Sequence, residues 1–178
     1  MRYAALALAL LPTTVQARPD TATGRATATV VAPLHAVAVR DLDFGTVAVA
    51  VAQGGSVVVA PGGGANAQYG GSARQACLSG PDCSVPHPAL FHVHGEAGRD
   101  YRIAIPATVQ ARPDSGAGAA LAVDQLTVRS ASRPGMGAQG RLDPQGADSF
   151  EIGGTIRIPA GAEPAHYRAQ VEVLVTYG

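Results

Sequence analysis

Along residues 166–178, HYRAQVEVLVTYG, apolar and polar positions alternate. Tyr167, Ala169, Val171, Val173, Val175 and Tyr177 share one parity, Arg168, Gln170, Glu172 and Thr176 take the other, and Leu174 breaks the pattern. A period of two predicts a strand with one buried face. Similar alternation, or short apolar runs of strand length, recurs at 26–32, 36–52 (broken near 41–45), 56–60, 89–94, 100–106, 120–130 and 149–159. Clusters of Gly, Pro and Asp separate these runs and supply turn chemistry. The chain is predicted to be all-β, an immunoglobulin-like antiparallel β-sandwich of about seven or eight strands.

Composition narrows this picture. The 178 residues suit one domain with a targeting segment. Apolar residues make up 47 % but aromatics only 4 %, so Val, Ala, Leu and Ile must fill the core. The 22 Gly and 13 Pro disfavour helices and punctuate short strands. Thirteen basic residues balance 13 acidic ones, with no basic stripe interleaved with aromatics, which argues against nucleic acid as a partner. All the basic residues are Arg. Without Lys the chain has no Schiff-base chemistry, no P-loop and no Lys-to-Asn isopeptide crosslink, so contacts with neighbours are expected to be non-covalent.

Residues 1–17, MRYAALALALLPTTVQA, combine Arg2, an apolar run, Pro12 and small residues at Val15 and Ala17. This is the layout of a signal peptide with cleavage after Ala17. Residues 18–178 then form the single mature domain, with export to the periplasm, the cell surface or an extracellular filament. No run reaches the ~18 apolar residues a membrane-spanning helix needs. In an oxidising compartment, Cys77 and Cys83 in CLSGPDC favour a structural disulfide over a redox or metal pair. The chain-entropy contribution of so short a loop is roughly 2 kcal/mol. That disulfide would staple a long Gly-rich connection, 61–88, of a length that marks a functional or mobile loop. A second connection covers 133–148. The heptapeptide TVQARPD occurs at 14–20 and again in a loop at 108–114, and two copies make no repeat architecture.

Several segments, in order, resemble a known family: LDFGTV (42–47), GGSVVVAPGGG (54–64), FHVHGEAGRDYRIAIP (91–106), ALAVDQLTV (120–128), LDPQGADSFEIGGTIRIPAG (142–161) and YRAQVEVLVTY (167–177). The series is similar to an exported bacterial family of unknown function, DUF4402, that looks like fimbrial subunits. The Cys77/Cys83 loop is an addition to the general pattern. The resemblance implies a sandwich that polymerises or is displayed at a surface, and it supplies no catalytic residues. The residues agree with it locally. Phe44 is expected to anchor the sandwich and Gly45 to permit a bend. Tyr101 should bury its ring and bond its hydroxyl at the rim, and Gly153 and Gly154 should mark a bulge or close approach.

FHVHGE is the metal candidate. On a strand His92 and His94 share a face and can chelate Zn²⁺ or Cu²⁺, with Glu96 or His87 as a third ligand. The competing reading leaves both histidines facing solvent. There is no G-x-S-x-G, no available Cys and no obvious carboxylate pair, so the expectation is a non-enzyme without cofactor.

A strand with a clean apolar face at the chain end is an exposed edge unless something covers it. Subunits assembled by a chaperone and usher cover it with a strand from another molecule, and the chaperone grips the last strand first. On that reading Tyr167, Val171, Val173, Val175 and Tyr177 accept, and 18–32 donates through Ala26, Ala28 and Val30. Self-association, other subunits and an assembly chaperone are the expected partners. The alternative is a self-contained secreted binding module, its ligand unspecified, whose own first strand pairs with its last.

Overall fold

Residues 22–64, 66–76, 80 and 83–178 are described in a computed structural model of the chain. The leader at 1–17 and Cys77 lie outside the described residues. The chain divides into two units, 1–30 and 31–178. Of the first, residues 22–30 form no strand and are exposed throughout.

The second unit is all-β. Its strands are β1 (His35–Arg40), β2 (Val47–Ala48), β3 (Gly55–Val59), β4 (Ala67–Gly71), β5 (Arg74–Gln75), β6 (Ala89–His94) and β7 (Asp100–Ala104). They continue with β8 (Val109–Pro113), β9 (Leu121–Ser130), β10 (Gln139–Arg141), β11 (Ala147–Ile158), β12 (Tyr167–Arg168) and β13 (Leu174–Tyr177). The described residues contain no helix, and every pairing is antiparallel. The larger sheet runs β1-β6-β11-β9-β8-β12, with β3 and β4 branching from β11, and the smaller runs β10-β7-β13.

β11 organises the large sheet. Its first half, Ala147 to Ile152, pairs with β6, its second, Gly154 to Ile158, pairs with β3, and β9 runs along its other edge. The change of partner falls at Gly153 and Gly154, where the register against β9 also shifts. A Cβ on Gly153 would stand 2.2 Å from the Val59 carbonyl oxygen and 2.6 Å from Cδ of Pro61, so only glycine fits there. The expected bulge and close approach both occur at this one point.

Two cores follow from this division. Ala89, Val93, Tyr101, Ile103, Leu142, Phe150 and Ile152 form one, with the Phe91 and Phe150 rings stacked at 5.0 Å. Val57, Ala73, Ala111, Leu121, Val123 and Ile156 form the other, against which Phe44 packs. Tyr101 is 1 % exposed, and its hydroxyl donates to Asp148 at 2.8 Å. Gly45, at φ +78°, turns the chain while its N–H donates to Asp43 at 2.7 Å.

Five expectations are corrected. Residues 26–32 are not a strand: β1 begins at His35, and Ala26, Ala28 and Val30 stand exposed. Ala and Thr side chains bury too little apolar surface to hold such a segment by themselves. The 61–88 connection contains β4, hairpinned on β3, and β5, paired with β2, and it places Ala73 in the second core. The second TVQARPD copy is β8 rather than loop, and the 133–148 connection contains β10. Finally, the terminal alternation serves two strands. β12 pairs with β8 in the large sheet, and β13 pairs with β7 in the small one.

Candidate assembly edge and histidine face

The register of β13 sets Leu174 against Ala104, Val175 against Ile103, Thr176 against Arg102 and Tyr177 against Tyr101. β7 lies on one side, and among the described residues no strand pairs with the other. Val173, Val175 and Tyr177 turn toward the first core yet stay half-buried, while Glu172, Leu174 and Thr176 face out. Val171 is also half-buried, in the stretch between β12 and β13. Tyr167 belongs elsewhere: it packs on the second core and donates its hydroxyl to the Glu163 carbonyl at 2.8 Å. The predicted interface residues of the last strand therefore divide, with Val173, Val175 and Tyr177 at one edge and Tyr167 away from it.

Tyr177 is held within its own chain. Its hydroxyl donates to the Ala32 carbonyl at 2.8 Å and accepts from the Glu96 N–H at 2.7 Å. The Arg99 guanidinium lies 4.9 Å from its ring centroid, a cation–π distance. Gly95 makes room, since a Cβ there would come within 2.4 Å of that hydroxyl. The near-terminal aromatic thus ties the end of β13 to the turn after β6 and to the segment entering β1.

β1 is a second edge. Among the described residues it pairs only with β6, and all six of its residues are exposed. Leu34, just before it, packs on the first core beside Val173, Val175 and Tyr177. Tyr177, at the end of β13, bonds Ala32 in the segment leading into β1, and half-buried Leu34, Leu42, Val173 and Val175 pack at the margin of that core. Unpaired backbone flanking half-covered apolar side chains is suited to accepting an added strand.

The histidines weighed as metal candidates are only partly brought together. His92 and His94 are exposed on the outer face of β6, their ring centroids 6.5 Å apart. They border an open depression of about 420 Å³ with Ser132, Arg141, Asp143 and Ser149. Neither candidate third ligand joins them. His87 exchanges backbone hydrogen bonds with Asp43, and Glu96 pairs with Arg99 at 3.2 Å. Among the described residues no three His, Cys, Asp or Glu side chains are disposed around a metal. The residue that sequence reasoning missed is His35, which the register places directly opposite His94. In the depression, Asp148 already accepts hydrogen bonds from Tyr101 and Ser132. Among the described residues no helix is long and apolar enough to cross a membrane.

No curated protein and no solved structure matches the chain. The model of one family, a domain of unknown function designated DUF4402, matches residues 34–177, from the residue preceding β1 to the end of β13. The match spans every strand described above, and the chain belongs to the DUF4402 family.

Proposed function

We propose that the chain is an exported, non-enzymatic structural or adhesive subunit of a fimbria-like surface assembly, joined by strand donation. The observation that carries this reading is the outer edge of β13, where unpaired backbone borders half-buried Val173 and Val175. The donor is 18–32 of another copy. Its described part, 22–32, is exposed and in no strand, and Ala26, Ala28 and Val30 alternate with Thr27, Thr29 and Val31. Small donor side chains suit shallow sites and contribute modestly, at about 0.8 kcal/mol per buried methylene. Residues 1–17 act as the leader, Cys77 and Cys83 form a disulfide in the oxidising compartment, and an assembly chaperone covers the β13 edge before polymerisation.

Chromatography and calorimetry on the purified mature chain test this. Removing 18–32 should abolish self-association and lower the unfolding temperature of the assembled protein, and a synthetic 18–32 peptide should restore that temperature. A stable monomer whose unfolding is unchanged by the deletion rules out strand donation. It would leave a self-contained secreted binding module as the reading.

A further inference from the structure

The outer face of the β1–β6 pair carries three histidines. Antiparallel pairing sets His35 opposite His94, which places both side chains on one face. His92, two residues before His94, shares that face by the period of the strand. All three are exposed. Their neighbours across the next ladder are small, with Ala147 opposite His94 and Ser149 opposite His92, so space lies above the two β6 imidazoles. Val37, opposite His92, closes the fourth corner with an apolar side chain.

We infer that His35, His92 and His94 form a divalent transition-metal site, one imidazole from β1 and two from β6, that clasps the edge strand to the sheet. Directly opposed residues have Cβ atoms about 4.5–5.5 Å apart, a separation that two imidazoles can bridge to one ion at about 2.0–2.1 Å per Zn–N bond. The rings as placed do not converge on one point: His92 and His94 sit edge to face at 79°. Because the side chains are solvent-exposed, rotation about χ1 and χ2 brings the nitrogens together without moving the backbone. Three neutral imidazoles with solvent at the fourth position favour Zn²⁺, Cu²⁺ or Ni²⁺ over hard cations such as Ca²⁺ and Mg²⁺. The consequence is mechanical. Among the described residues β1 has β6 as its only strand partner, and an ion held from both strands would oppose its peeling away.

Isothermal titration of the chelator-treated full chain with ZnCl₂ and NiCl₂ tests the site, and amide exchange follows β1. The expected result is one ion per chain, slowed exchange across His35–Arg40, and no response to CaCl₂. His94→Ala should abolish binding, His35→Ala should weaken it by about tenfold or more, and His87→Ala should bind as the parent does. Circular dichroism checks that each variant keeps its β spectrum, which substitution at an exposed position should preserve. Absence of Zn²⁺ and Ni²⁺ binding overturns the site. Binding unchanged by His35→Ala also overturns it, leaving only a two-histidine contact on one strand.

Discussion

β11 and β13 look alike as amphipathic or apolar runs, but they occupy opposite environments. β11 has neighbours along both edges, and from Ile152 to Ile156 every residue is buried. β13 has β7 on one side, and its best-covered residues, Val175 and Tyr177, are only half-buried. The difference lies in coverage rather than pattern. Alternation tells which side chains turn inward, whereas burial depends on how many elements close over that face.

The comparison breaks most visibly at Phe150. It is 1 % exposed and stacked on Phe91, so Phe150→Ala should cost about 3–5 kcal/mol, read by urea unfolding. Val175→Ala at the edge should cost well under half of that in the isolated chain. Equal losses at the two sites would mean that β13 is covered in solution.

Tyr101, paired opposite Tyr177, gives the next effect, through pH. Burial first, then the hydrogen bond and charge of Asp148, raise its phenol pKa far above the ordinary value near 10. Because the folded pKa is the higher one, the stabilisation is fully present below pH ~10. Above that, the unfolded chain ionises while folded Tyr101 stays protonated, and stability falls by up to about 1.4 kcal/mol per pH unit. Denaturant titrations between pH 8 and 11 should show a shallower alkaline decline in Tyr101→Phe than in the parent. An identical slope would remove this account.

The most local effect belongs to Tyr177→Phe. The ring and its contact with Arg99 survive, and the hydrogen bonds to Ala32 and Glu96 are lost, at about 0.5–1.5 kcal/mol each. Amide exchange should speed up at Glu96 and along β13 but not in β11. Faster exchange in β11 as well would show that the two strands unfold as one unit and dissolve the contrast between them.

Much of the architecture was readable from residues. β3, β6, β7, β9 and β11 coincide closely with apolar runs, because each carries enough Val, Ile, Leu or Phe to display its period. β4, β5, β8 and β10 were not, since AQYGG, RQ, VQARP and QGR bury few side chains and are held largely by backbone pairing. The candidate sites divided in the same way. That His92 and His94 share a face follows from their spacing, but His35 becomes their neighbour only through the β1–β6 register, formed by residues that lie far apart in the chain.

By itself the sequence determined the β class, the inward parity of most strands and the glycines where backbones crowd, because these depend on side-chain chemistry within a few residues. Only the tertiary structure decided that the terminal alternation splits between two sheets, that Tyr177 is tied to Ala32, and that β1 and β13 end as edges. The physical reason is that hydrogen-bonding partners in a sheet come from distant segments, and local alternation is the same whether an edge is paired or bare.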